Sequence, residues 1–179
     1  GHESVVSLQE KLFNPSIAVA DQIKNQINEM KFYLGGCLEK FTDQFSLDVI
    51  VPQNVLAIPM HVPMGLAVTN LSKKGIPTIA HHHDFFWERD RFLKGCAGEY
   101  LEKAFPPPIT ERFEHVVINS SAKRSLKDRL GIESTVIPNV FDFENPPIYS
   151  DGYGDDFKKE MGISSDEIIV LQPTRIVPR

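Results

Sequence analysis

The chain has 179 residues, of which 41% are hydrophobic and 24% are charged, a composition typical of a globular protein. Its net charge of −5 argues against a general nucleic-acid binder, because such a protein needs a basic face to displace counterions from phosphates. No apolar run approaches the ~20 residues that span a bilayer, and no signal peptide opens the chain, so we expect a soluble, cytoplasmic protein. Cys37 and Cys96 lie far apart and are predicted to be reduced thiols.

The apolar pattern predicts alternating helices and strands. Apolar residues recur every three or four positions from Ile17 to Leu34, which predicts an amphipathic helix that Gly35-Gly36 breaks before a second segment ending near Ser46. Then follow a buried strand at 48–51, a helix at 57–75, a strand at 76–80, a helical turn at 86–93, a helix at 99–104, a strand at 114–119, a helix at 120–130 capped by Ser120-Ser121, and a strand at 134–137. This order predicts an α/β protein with a Rossmann-like parallel sheet and flanking helices.

The distribution of proline and glycine residues along the chain predicts two domains. Residues 1–138 form a partial Rossmann-like domain, and the Pro- and Gly-rich stretch 139–154 forms a linker. Residues 155–179 begin a second domain with a helix at 155–161, a strand at 167–172 and a loop. An apolar strand without a sheet of its own should seek a partner edge, so we expect dimerisation or domain swapping through 168–171.

The densest group of titratable side chains follows the strand at 76–80. His81, His82, His83 and Asp84 should emerge at its carboxyl end, the edge where open α/β sheets collect ligands. Neighbouring residues of a strand point to opposite sides, so these side chains can converge on one metal ion only after a sharp bend. We therefore favour a metal-free polar pocket, with His81 or His82 turned into the sheet packing.

Other candidate residues leave two interpretations open. The run Glu88–Arg91 is either a solvated helical face, on which Glu88 and Arg91 could pair, or part of a site. Trp87 either stacks on a sugar ring or is buried in the core. Arg175 directly follows a predicted strand and either binds a diphosphate with its planar fork or is an exposed loop residue.

Four segments in this order resemble the retaining glycosyltransferases of group 1, also called family 4. The segments are Pro59–Gly65, the residues His83-Asp84-Phe85 with Trp87-Glu88-Arg89, Ile137–Asp142 and Gln172–Arg179. The resemblance covers most of the chain from about residue 32 onward. It implies a GT-B architecture, in which an acceptor-side domain and a nucleotide-sugar domain face a cleft, and transfer of a hexose with retained configuration, without a cofactor and usually without a metal.

The resemblance also implies roles for single residues. His83 and Asp84 would lie at the reacting centre, with His61, Trp87, Glu88 and Arg89 on the acceptor side, and chemical inference lets Arg89 pair with an anionic acceptor. Arg175 would stabilise the leaving diphosphate.

By the same comparison, we expect the chain to be an internal part of an enzyme roughly twice as long and to be inactive by itself. Its partners would be a nucleotide-diphosphate sugar and a small hydroxylated acceptor. The alternatives are a metal-dependent hydrolase that uses His81, His83 and Asp84, and a non-catalytic binding or assembly module.

Overall fold

Two units make up the chain, residues 1–138 and residues 139–179. The computed structural model describes residues 2–17, 21–109, 111–145, 152, 154 and 156–170. The first unit contains α1 (Glu3–Phe13), α2 (Asp21–Gln44), α3 (Val62–Lys73), β1 (Thr78–His82), α4 (Gly98–Ala104), β2 (Phe113–Val117), α5 (Ser120–Leu130) and β3 (Thr135–Val136), with single 3₁₀ turns at Phe86–Glu88 and Asp90–Phe92. The second unit contains α6 (Phe157–Glu160).

The centre of the first unit is a parallel sheet with the strand order β1-β2-β3. Ala80 of β1 lies opposite His115 of β2, and Val117 of β2 lies opposite Val136 of β3. Helices α4 and α5 fall between successive strands, as crossovers between parallel strands require. The predicted α/β class, with a Rossmann-like parallel sheet flanked by helices, is confirmed.

The segment 48–51 runs parallel to β1 but does not form the predicted buried strand. Ile50 and Gln53 make isolated bridges to Thr78 and His81. Pro52 between them has no N–H to donate, so the ladder is interrupted. Val49 and Val51 are 42% and 47% exposed, which shows that this edge of the sheet is not covered as a buried strand would be.

Helix α2 is continuous where a break was predicted at Gly35-Gly36. Each glycine costs a helix about 1 kcal/mol relative to alanine, which packing of the whole helix can exceed. That packing comes from contact of α2 with α3 and from burial of Ile23 and Ile27 in the core. A local propensity signal was therefore overridden by tertiary contacts.

Helix α1, for which the sequence analysis made no prediction, belongs to the same core. Its Leu8 and Leu12 are buried together with Ile27, Leu66 and Phe105. The core of the first unit therefore extends well beyond the sheet, over the four helices α1 to α4.

The ends of α3 and α5 show how these helices are fixed. Helix α3 begins at Val62, later than the predicted start at residue 57, and the His61 side chain caps its N-terminus. Helix α5 is capped by Asn119, whose side chain accepts from the Ala122 backbone N–H at 2.8 Å, and not by the predicted pair Ser120-Ser121. In α3, a Cβ at Gly65 would overlap the ring of Phe105, so only glycine permits this close approach.

In the second unit, the predicted strand at 167–172 is wrong for the residues that the structure describes. Residues 167–170 have no strand conformation, and Ile168 and Val170 are 91% and 93% exposed. A strand needs hydrogen-bonded neighbours, and the described residues of this unit supply no strand with which it could pair. The expectation of dimerisation or domain swapping through 168–171 was based on this strand and stays a prediction. Within the described ranges, no helix is long and apolar enough to cross a membrane.

Candidate active site

The three consecutive histidines lie at the end of β1 and separate to two sides. His81 and His82 are the last residues of the strand, and His83 follows it. His82 is 1% exposed, whereas His81 and His83 are half-buried. Strand alternation therefore places His82 in the packing of the sheet and the other two on the opposite side.

His82 forms a buried pair with His115 of β2. The two rings stack with centroids 5.3 Å apart, and a hydrogen bond of 3.0 Å joins His82 Nε2 to His115 Nδ1. Burial, and next the charge of His115, lowers the pKa of His82 to about 3, and burial lowers the pKa of His115 to about 4. Both imidazoles are therefore neutral near pH 7 and act as parts of the core.

His81 and His83 lie beside each other and share one partner. Their ring centroids are 4.7 Å apart. Gln53 Oε1 accepts from His81 Nδ1 at 2.8 Å and, at a longer 3.4 Å, from His83 Nε2. The weaker second bond leaves the ring of His83 able to exchange this partner for a hydroxyl group of a ligand.

Asp84 is held by two partners rather than left free. Its Oδ1 accepts from Asn54 Nδ2 at 2.7 Å, and its Oδ2 forms an ion pair with Arg89. Asn54 Oδ1 also accepts from the backbone N–H of His83 at 3.0 Å. With both oxygens occupied, Asp84 is better suited to fixing this loop than to taking a proton from a substrate.

Asn54 is a member of this hydrogen-bond network that was not predicted from the sequence. Its backbone N–H donates to the carbonyl of His81 at 2.8 Å, and its φ of +59° lies in the left-handed region that Asn tolerates better than most residues. A usable signal was present, because Pro52-Gln53-Asn54 ends the segment beside β1 and the ends of neighbouring parallel strands meet at one edge. Asn54 thus connects two loops that are about 30 residues apart.

Trp87 packs at the edge of the hydrophobic core. Its ring stacks on the fully buried Phe85 at 4.4 Å, and its Nε1 donates to Ser125 Oγ at 3.1 Å. The Arg129 guanidinium lies 5.5 Å from the ring centroid. The half-buried indole thus already has partners on α5, which supports the core interpretation over an open sugar platform.

Glu88 and Arg91 do not form the ion pair considered from their spacing. The exposed Glu88 turns back, and its Oε1 accepts from the Phe85 N–H at 3.3 Å, whereas Arg91 Nη2 contacts Met60 Sδ at 3.4 Å. Between them Arg89 has extended backbone, with φ −136° and ψ 108°, which separates the two 3₁₀ turns and breaks the helical spacing.

His61 lies at the start of α3. Its Nδ1 accepts from the Met64 N–H at 3.3 Å, and burial lowers its pKa. Over the described residues, no hydrogen bond joins His61 to the network of Asn54, Asp84 and Arg89. Arg175, predicted to bind a diphosphate, lies outside the described residues.

The described residues contain no group of three His, Cys, Asp or Glu side chains arranged to hold a metal ion. For His81, His83 and Asp84 the reason is visible, because the histidines face Gln53 while both carboxylate oxygens of Asp84 face Asn54 and Arg89. The geometry does not support the metal-dependent hydrolase.

Comparison with curated proteins relates the chain to glycosyltransferases. It is 38% identical over 156 residues to the mannosylglucosylglycerate synthase of Petrotoga mobilis, which covers 84% of this chain and 35% of that protein. It is 37% identical over 158 residues to the mannosylglucosylglycerate synthase of Thermotoga maritima, which covers 87% of this chain and 34% of that protein. No protein-family model and no solved structure matches the chain. The chain therefore spans about a third of the length of glycosyltransferases to which it is similar.

Proposed function

We propose that this chain contains the acceptor-side part, and the beginning of the donor-binding domain, of a cytoplasmic, retaining group 1 (family 4) glycosyltransferase with GT-B architecture. The observation that carries the proposal is the similarity of 84% and 87% of the chain to two mannosylglucosylglycerate synthases. The four sequence segments that resemble group 1 enzymes support the finer assignment.

The names of these relatives suggest the substrates. The product contains mannose, glucose and glycerate, so a last step that adds mannose would use glucosylglycerate as the acceptor. We propose that the intact enzyme transfers a hexose from a nucleotide-diphosphate sugar to a hydroxyl group of such an acceptor, without a metal ion. The segment from residue 155 onward would begin the donor-binding domain, where Arg175 would stabilise the leaving diphosphate.

The geometry of the first unit supports different roles for His83 and for the residues that surround it. His83 is half-buried, is held through its backbone by Asn54, and has a ring with one long hydrogen bond, so it would contact a sugar hydroxyl. Asp84, Asn54 and Arg89 would hold His83 in place. Such a rigid frame matters because a misplacement of about 1 Å can cost on the order of 10²-fold in rate.

The experiment is a transfer assay with the intact enzyme that contains this chain. Nucleotide-diphosphate mannoses are mixed with glucosylglycerate in the presence of EDTA, and the product anomer is identified by NMR. We expect transfer with the configuration of the donor retained. His83→Ala and Arg175→Ala should each lower kcat/KM by on the order of 10²-fold.

His81→Ala is the matched control for the histidine, since it shares Gln53 and the same side of the strand end. We expect it to change kcat/KM by less than about 5-fold, because it removes an orienting hydrogen bond only. Equal losses in the two histidine variants would contradict the role of His83. An inverted product, or no transfer from any nucleotide sugar, would contradict the proposed function.

A further inference from the structure

A groove on the first unit lies between the end of α1, the turn at Pro59-Met60 and the turn at residues 90–95, which contains the second 3₁₀ turn. Its volume is about 630 Å³. Its apolar wall is formed by Phe13, Met60 and Phe92, and its polar groups include Gln9, Arg91 and Lys94. Met60 directly precedes His61, and Arg91 lies two residues beyond Arg89, so the chain links the groove to the predicted acceptor side.

The walls of the groove are packed against each other. The rings of Phe13 and Phe92 meet edge to face at 5.0 Å, and Gln9 Nε2 donates to the carbonyl of Pro59 at 2.6 Å. At Gly95, with φ +87°, a Cβ would overlap the carbonyl oxygen of Leu12, so the turn presses directly on α1. These contacts tie all three segments together and fix the walls of the groove relative to one another.

Two cations, Arg91 and Lys94, line this groove, and among the residues that the structure describes neither is in an ion pair. Within the described ranges, Arg91 has no carboxylate at ion-pair distance, and its guanidinium lies 4.5 Å from the centroid of the Phe92 ring, beside Met60. Arg89, by contrast, is already paired with Asp84. Lys94 adds a second positive charge and Glu10 one negative charge to the lining.

We propose that this groove binds the carboxylate of a glycosylated hydroxy acid, with Arg91 as its principal partner. The inference rests on the proposed function, because the glycerate part of the relatives' product supplies a carboxylate. A guanidinium presents a planar fork that fits two carboxylate oxygens. The half-buried Phe13 ring and the exposed Met60 side chain provide apolar surface for the C–H face of an attached sugar. Arg91 thereby takes the anion-binding role that the sequence analysis gave to Arg89.

The test is a binding titration of the whole chain, followed through its backbone and arginine side-chain N–H signals in NMR spectra. Glucosylglycerate and glycerate are the charged probes, and glucosylglycerol and glycerol are the matched neutral probes. We expect the charged probes to shift the Arg91 signals and the neutral ones to bind at least about 10-fold more weakly, as loss of a charge-assisted hydrogen bond implies. Equal binding of charged and neutral probes would overturn the inference.

Variants then locate the carboxylate. Arg91→Gln should weaken glucosylglycerate binding by about 10-fold or more, and Lys94→Gln by a smaller factor. Arg124→Gln, on the exposed part of α5, is the control and should stay within about 2-fold of the parent, since an exposed charge outside the site contributes little. Unchanged binding in Arg91→Gln, or a loss that occurs only in Arg89→Gln, would refute the assignment to Arg91.

These results remain separable from those of the transfer assay. If Arg91-dependent binding is observed but no nucleotide sugar supports transfer, the groove is established and the proposed function fails. If transfer occurs but Arg91→Gln leaves the KM for glucosylglycerate unchanged, the proposed function stands and the inference about the groove fails.

Discussion

His82 and His83 are neighbours in the chain but lie in opposite environments. His82 is buried against His115 and Phe85, with its pKa lowered to about 3 by burial. His83 is half-buried, next to His81 and the polar side chains of Gln53 and Asn54. Their difference teaches that a run of identical residues at a strand end can hold one residue buried in the core and one open to the polar side, as the alternation of the strand dictates.

The largest expected effect comes from truncating the buried member. His82→Ala removes a fully packed ring and leaves His115 Nδ1 without its partner, so we expect the free energy of unfolding to fall by about 2–4 kcal/mol. His83→Ala is the matched control and should change it by about 0.5 kcal/mol or less. Urea unfolding followed by circular dichroism measures both, and similar losses would contradict the contrast between the two sites.

The second prediction concerns the stability of the folded protein at acidic pH. The unfolded chain binds protons at His82 and His115 near pH 6.5, whereas in the folded chain their pKa values are lowered to about 3 and about 4. Below pH 6.5 the unfolded state therefore holds more protons, and stability falls as the pH falls through this window. Each histidine contributes up to about 1.4 kcal/mol per pH unit.

The measurement is the free energy of unfolding between pH 6.5 and 5, above the range in which most carboxylates titrate. His115→Gln should reduce the slope by about one proton, because glutamine does not titrate. His81→Gln, on the polar side, serves as the control. A slope that is unchanged in His115→Gln would show that the buried pair does not govern the acid response.

A smaller effect is expected on the polar side, where Asn54 holds the backbone of His83. Asn54→Gly loses the two side-chain hydrogen bonds but keeps an easy φ of +59°. Asn54→Ala loses the same bonds and also bears the steric cost of the left-handed region, so it should be less stable than Asn54→Gly by about 1 kcal/mol. Thermal unfolding of the two variants compares them, and equal stabilities would place Asn54 outside the strained conformation.

The parts of the fold that were predictable are those that local pattern determines. Helix α5, with its stop at Gly131, and a strand after Pro77 follow from short-range signals, although the cap of α5 is Asn119 and β1 lies two residues later than predicted. The continuity of α2 through Gly35-Gly36 does not, because it depends on packing against α3.

The candidate site was likewise predictable from the sequence only in part. Strand alternation predicted that one of His81 and His82 would be buried. The meeting of Asp84 with Asn54, and of His82 with His115, joins segments 30 and 33 residues apart, so it depends on how the sheet brings distant loops together. The ion pair of Arg89 with Asp84 was also not predictable from residue spacing, because the extended backbone at Arg89 breaks the helical pattern.

The contact of Gly65 with the Phe105 ring has a consequence for how this protein can change during evolution. Because any Cβ at position 65 overlaps that ring, the two positions cannot vary independently. A side chain at 65 becomes acceptable only in a background where residue 105 is already smaller, so the order of the two mutations matters. This pair is a point of epistasis in α3, the helix whose N-terminus is capped by His61.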